Sequence, residues 1–344
     1  MVDRLDEWLA GILCIALVCA ACTRPDARAA IREGSPPPAS VETITTDGLL
    51  SRIRFLSSDG LAGRATPSPG LDLAATYIAT EFEGMGLLPA GDGFVQRYAL
   101  GPGPDSPTAP NVAALLPGSD SLLRDTYIVF SAHMDHLGTG LPDASGDSIY
   151  NGADDDASGT AAVLEVAEAF ASMPAPPARS IVFLLVSGEE LGLLGSQAFL
   201  ESNAIPASRM VANINIDMIG RNTPDTVVTI GTGYSSLGSR VAETARANPD
   251  LRLTVIDDPW PAEQFFFRSD HFHFARAGVP ALFFFAGVHE DYHRPSDEIE
   301  RIDADKAARI ARLAFLLGAT IANDPNPPEW TSLGRRQVLG ATGN

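Results

Sequence analysis

Cysteine is almost missing from this chain. Its three cysteines, Cys14, Cys19 and Cys22, all fall within the first 22 residues. The remainder therefore has no disulfide, no thiolate nucleophile and no cysteine metal ligand. Lysine is scarcer still, since Lys306 is the only one. Its place in a C-terminal helical pattern argues against Schiff-base or lysine-nucleophile chemistry. Positive charge is short as well: 24 Lys and Arg against 43 Asp and Glu leave a formal charge of −19. Nothing here would neutralise phosphates, so nucleic acid is excluded as a partner class. Neither Ser131 nor Ser158 sits in a Gly-x-Ser-x-Gly turn, which removes the usual serine nucleophile. Any metal site must be built from His, Asp and Glu.

What is present is apolar residue, at 45%, with only 19% charged. A chain of 344 residues with that balance holds one large globular domain or two small ones. The run from Leu9 to Ala21 is too short to cross a bilayer comfortably and is followed by Cys22. It resembles a bacterial lipoprotein signal in which Cys22 becomes the lipidated first residue, anchoring an exported protein in a membrane. Asp3, Asp6 and Glu7 replace the usual basic start, and Cys19 stands where leucine is common. A plain secretory signal and a buried helix are the alternatives. Residues 1–22 are thus expected to be an export signal, with a periplasmic, outer-membrane-anchored or secreted destination. Residues 23–44, rich in Ala, Arg and Pro, read as a tether, and residues 323–344 as a loose tail.

Between them, residues 45–322 read as one domain. Apolar residues at Ala75, Ile78, Ala79, Phe82 and Met85 predict a helix, and another is expected over 158–173. Strands are predicted at 111–117, 126–132, 181–186, 211–216, 227–230, 253–256 and 281–285, with helices between several of them and a last helix through Ile310 and Leu317. Alternating strand and helix implies an α/β fold, three layers α/β/α around a mixed, mainly parallel sheet.

Several of these strands end in acids or histidines, and the carboxyl ends of strands are where such sheets bind ligands. Ser180–Val186 runs into Ser187-Gly-Glu189-Glu190, two adjacent acids that are costly to desolvate without a cation. The strand 126–132 ends in His133-Met-Asp135-His136, and the strand 211–216 in Asp217. Asp154-Asp155-Asp156 precede a helix, where one or two acids could serve as caps but three repel one another. His289, Asp291, Tyr292, His293 and Asp297 follow the strand 281–285. Taken singly, each admits a structural explanation: a loop histidine, a helix cap, or an ion pair such as Asp217 with Arg221. Together they suit two cations that share one carboxylate, with a further carboxylate free to move a proton.

In that order the motifs resemble the dizinc exopeptidases of metallopeptidase family twenty-eight, secreted bacterial aminopeptidases among them. The matching stretches are Ser-Ala-His133-Met-Asp135-His, Gly-Ala-Asp-Asp155-Asp-Ala-Ser-Gly159, Ser-Gly-Glu189-Glu190-Leu-Gly, Asn-Ile-Asp217-Met and Asp-Tyr292-His293-Arg-Pro-Ser-Asp, with Leu61-Ala-Gly-Arg64 before the first helix. The resemblance implies two Zn2+ per chain, one on His133 and Asp217, the other on Glu190 and His293, bridged by Asp155. It implies Glu189 as general base, Asp135 orienting His133, Tyr292 as a substrate contact at the oxyanion, and a cis peptide bond between Asp155 and Asp156. It further implies a peptide substrate and N-terminal cleavage. Many relatives carry a protease-associated insert, but the path from Gly86 to His133 is too short for it, so a compact single-domain monomer is expected. A glutaminyl cyclase using one zinc, a carboxypeptidase of acidic dipeptides and a non-catalytic binding protein are the alternatives on the same fold. His136, His271, His273, His289 and Asp270 are expected to be structural or to support the ligands. Phe265-Phe266-Phe267 and Phe283-Phe284-Phe285 are expected mainly in core packing.

Overall fold

The central strands are mostly apolar and almost wholly buried, with Ser131, Asn213 and Asn215 among the polar exceptions, the pattern of strands covered on both faces. In the computed structural model, residues 39–340 are described. The strands are β1 (Leu88–Pro89), β2 (Val95–Ala99), β3 (Thr108–Leu116), β4 (Tyr127–His133), β5 (Gly138–Thr139), β6 (Ile149–Tyr150), β7 (Ser180–Val186), β8 (Met210–Ile216), β9 (Thr226–Ile230), β10 (Thr254–Ile256) and β11 (Ala281–Phe285). Except for the small β5–β6 hairpin they form one sheet in the order β1-β3-β7-β4-β8-β11-β9-β10, with β2 also on β3. The four in the middle, β7, β4, β8 and β11, are mutually parallel, while β3 and β9 run antiparallel to their inner neighbours.

The helices are α1 (Thr46–Leu56), α2 (Pro69–Gly84), α3 (Gly159–Ala171), α4 (Leu194–Ser202), α5 (Leu237–Ala247), α6 (His271–Arg276), α7 (Ala304–Asn323) and the short α8 (Ser332–Gly334). Successive strand side chains point to opposite faces. Accordingly Ile128, Phe130, Ile181 and Phe183 join one core with Leu49 of α1, Phe82 of α2, Phe170 of α3 and Phe315 of α7. Val129, Val182 and Leu184 join a second core with Phe199 of α4 and Phe274 of α6. That is a three-layer α/β/α arrangement.

Three details depart from the sequence reading. Helix α1 was not foreseen: Leu49, Ile53 and Leu56 face the core, but Arg52 lies buried on the same stripe beside Glu165, Glu81 and Glu168. Thr45 caps it by accepting the Gly48 N–H, and Ser40 and Val41 are already buried, so the fold begins inside the expected tether. The apolar pattern after Glu190 predicts a helix from Leu191 to Ser202, but α4 starts at Leu194, because the Glu189 carbonyl closes a turn by accepting the N–H groups of Gly192 and Leu193.

The third departure is the tail. Up to residue 340 it is attached rather than loose. Trp330 donates its indole N–H to the Gly278 carbonyl (2.9 Å) and bridges Ser235, while Val338 is buried among Phe265, Phe266, Phe283 and Phe285. The export signal and most of the tether lie outside the described residues. The stretch from Gly86 to His133 holds β1 to β4.

Candidate metal centre

All the motif residues meet at the carboxyl ends of β7, β4, β8 and β11. His133 is the last residue of β4, Asp217 follows β8 directly, Glu189 and Glu190 follow β7, and His293 stands in the loop after β11. The remaining motif acid comes from the turn before α3. There Gly159 is required by close approach, since a Cβ would lie 2.2 Å from the Ile216 carbonyl and 2.4 Å from the Asp156 carboxylate. The Asp155–Asp156 peptide bond is cis.

The three consecutive acids separate into three roles. Asp156 caps α3: its Oδ1 accepts from Gly159 and Met218 N–H, and its Oδ2 from His133 N–H. Asp154 faces away, accepting the Gly220 N–H (2.6 Å) and lying 3.2 Å from His289 Nε2. Only Asp155 enters the cavity. Its Oδ1 is 3.2 Å from His133 Nε2 and its Oδ2 is 3.1 Å from His293 Nε2. Asp217 Oδ1 lies 3.7 Å from His133 Nε2, and Glu190 Oε2 lies 3.3 Å from His293 Nε2. One carboxylate thus sits between two histidines, each with its own further acid. Asp156 is close enough to His133 and Asp217 to be considered as a ligand, but both its oxygens are already taken by N–H donors.

Electrostatics agree with a cation-demanding centre. Burial alone would lower His133, yet the carboxylates of Glu189, Asp135, Asp155 and Asp217 outweigh it and hold the imidazole well above its usual range. His293 is lowered by burial and raised more strongly by Asp155 and Glu190, to about 10. Protons on these histidines take the positive charge that the acids require. Imidazole nitrogen and carboxylate oxygen are also the donor set that zinc accepts, so the residues present fit that metal. Burial pushes the Glu189 carboxyl well above its usual range, opposed by His133 and reinforced by Asp270.

Asp135 has a different task from the expected one. Its carboxylate is 3.7 Å from His133 Nδ1, too long for a hydrogen bond. The Asp135 backbone carbonyl, at 3.1 Å, is what meets that nitrogen and fixes the tautomer. The carboxylate accepts from Thr66 Oγ1 (2.9 Å), Gly188 N–H (2.8 Å) and Glu189 N–H (3.4 Å) instead, holding the Glu189 turn against β4.

Supporting residues escaped the sequence reading. Arg64, fully buried, donates to the carbonyls of Met134, Leu56, Asn151 and Gly152, joining the His133 loop to the Asp155 turn. Asp297 accepts from Asp154 and Asp155 N–H. A polar chain through the second core, Ser131 to Asn215 to Ser269, ends with Ser269 donating to Asp217 Oδ2 (2.7 Å). Arg221 pairs with Asp291 (2.7 Å), leaving Asp217 to the cavity. The signals were present, in Leu61-Ala-Gly-Arg64 and in the closing Asp of the His293 motif, but only contacts assign the roles.

The cavity is completed by Tyr292 and by an apolar wall of Met218, Phe265, Phe283, Phe285 and Val288. Three phenylalanines expected in the core therefore line the site. Tyr292 stacks on His293 at 3.8 Å, and burial raises its phenol above the usual range. His271 packs against Phe266 and Phe283 behind that wall, and His273 is half-buried on the surface.

Residues 111–317 match the family model for peptidase family M28. The chain belongs to peptidase family M28. Among relatives it is 28% identical to a probable zinc metalloprotease of Pyricularia oryzae, over 88% of this chain and 67% of that protein. It is 27% identical to a probable leucine aminopeptidase of Arthroderma benhamiae, over 59% of this chain and 55% of that one. The chain thus spans between about half and two thirds of the length of these relatives. In fold it is similar to the LapA aminopeptidase of Legionella pneumophila, with TM-score 0.66 at 22% identity, covering 84% of this chain and 75% of that one. The mixed α/β sheet with its site at the strand ends is therefore the zinc exopeptidase architecture of this family.

Proposed function

We propose that this protein is a two-zinc aminopeptidase that releases N-terminal residues from peptides and acts as a monomer. The observation that carries the reading is Asp155, one carboxylate whose two oxygens face His133 and His293 from opposite sides. His133, Asp155 and Asp217 would hold one zinc, and Asp155, Glu190 and His293 the other. Bound there, zinc supplies Lewis-acid polarisation of a carbonyl and acidification of a water. Glu189, whose side chain lines the same cavity, accepts the proton of the attacking water and delivers it to the departing amine. Asp135 orients that base through its backbone N–H. Tyr292 donates its phenol proton in a hydrogen bond to the developing oxyanion.

An N-terminus suits the site better than a C-terminus, because the lining among the described residues offers no unpaired arginine or lysine to take an α-carboxylate. Among the described residues Arg268 is the one arginine or lysine lining the cavity, and it already lies over the Phe265 ring and 3.5 Å from Glu263. The wall of Met218, Phe265, Phe283, Phe285 and Val288 suits an apolar N-terminal side chain. Export with lipidation at Cys22 is part of the proposal, supported by the apolar run before that residue.

Glu189→Gln tests the mechanism. The variant should retain its metal and lose about 10²–10⁴-fold in turnover of amino-acid anilides. Retained turnover would remove Glu189 as base. Cyclisation of N-terminal glutamine without hydrolysis would instead assign the protein to cyclase chemistry.

A further inference from the structure

We infer that Tyr98 of β2 is a positioning residue for Glu189, holding the backbone from which that carboxylate projects; the inference rests on the reading of Glu189 as the base. The chain leaves β7 and reaches Glu189 through Ser187 and Gly188. Each hydrogen-bonding group of Ser187 is taken by β2 or β3. Its carbonyl accepts the Tyr98 hydroxyl (2.9 Å), its N–H donates to Asn111 Oδ1 (3.1 Å) and its own hydroxyl donates to the Pro110 carbonyl (2.6 Å). Ser187 and Asn111 are buried, where a polar group that loses its partner is costly. Tyr98 sits on an outer strand, opposite Ala109 of β3. Among the described residues, neither β2 nor β3 contributes to the cavity lining. Tyr98 therefore reaches the turn that carries the base from outside the site.

The fit at the next residue is close. Gly188 has φ +69°, a backbone region that favours glycine, and a Cβ there would stand 2.6 Å from the Tyr98 hydroxyl oxygen. The hydroxyl thus lies against the residue that precedes Glu189. The Gly188 N–H is held in turn by Asp135 Oδ2 (2.8 Å) and Thr66 Oγ1 (3.1 Å). Burial, with Asp135 and Asp270 adding to it, pushes the Tyr98 phenol up to about 12 against the opposing hydrogen bond with Ser187. The donor therefore keeps its proton at neutral pH. Glu190 would be fixed by the second metal as well as by its backbone, whereas Glu189, as base, is not a ligand. Its placement depends on the turn, and misplacing a catalytic group by about 1 Å can cost about 10²-fold in rate.

The test is Tyr98→Phe in the full, zinc-loaded chain, alone and combined with Glu189→Gln. Alone, it should lower kcat for amino-acid anilides about 10-fold, with KM and zinc content unchanged. In the Glu189→Gln background the same substitution should move the residual rate by less than about 2-fold, because a residue that acts through the base has nothing left to position. Unchanged kcat, with or without a lower melting temperature, would make Tyr98 a structural tie and overturn the inference. An equal loss in both backgrounds, or a loss of zinc, would overturn it as well, since Tyr98 would then serve the whole site or the Glu190 ligand. Wild-type turnover in Glu189→Gln alone would instead remove Glu189 as base, an outcome read without any change at Tyr98.

Discussion

Asp154, Asp155 and Asp156 are adjacent in sequence and chemically interchangeable, yet each has a different set of partners. Asp155→Asn removes the charge between His133 and His293 and should abolish tight binding of both metals, measured by metal content after dialysis. Asp156→Asn should keep the metals and cost about 1–3 kcal/mol of stability, because one oxygen that accepts N–H donors becomes an amide. The sequence already showed that three acids were too many for a helix cap. It could not show which one entered the cavity, since that depends on N–H groups from Gly159, Met218 and His133 arriving from three segments. His271 supports a prediction about pH. Burial pushes its imidazole down to about 3, slightly opposed by the backbone at Phe266. The unfolded chain, with a value of about 6.5, therefore binds the extra proton between these limits. The stability associated with the neutral ring is present above about pH 6.5 and is lost as pH falls towards 3. In chelator, so that metal release plays no part, His271→Phe should melt with a shallower dependence on pH over that window than wild type. An unchanged slope would exclude His271 as a contributor.

Among the elements, the buried parallel strands were the most legible, because β4, β7, β8 and β11 are mostly apolar runs that end in, or are followed within a few residues by, an acid or a histidine. What was hidden is held by contacts without periodicity. Strand β1 is two residues long and β2 is half-exposed, while α1 disguises its stripe with Arg52. The tail shows no pattern at all, yet its indole hydrogen bond and one buried valine attach it to the phenylalanines behind the substrate wall. Truncation after Asn326 removes both contacts. Losing Val338 alone should cost about 1.5–3 kcal/mol. KM for apolar anilides should rise while the metal content stays constant, as measured by steady-state kinetics beside metal analysis. Arg64 joins elements in the same way. Its replacement by Ala leaves four backbone carbonyls without their donor, each worth about 1–3 kcal/mol. A drop in melting temperature together with weaker metal retention is expected, since Met134 and Gly152 border the two ligand-bearing loops.

Across the whole molecule, the architecture and the chemistry have a common origin. A sheet covered on both faces leaves only its strand ends open, and four neighbouring parallel strands bring their polar termini to one place. The surplus of acid that gives the chain its charge of −19 becomes functional there, where His133 and His293 lie among carboxylates that require positive charge. The most direct test titrates metal-free protein with zinc while following bound metal and release of N-terminal residues in the same samples. The account predicts that binding saturates at two zinc ions per chain and that hydrolysis of N-terminal apolar residues appears with that occupancy. Saturation at one zinc, or full loading without hydrolysis, would contradict it.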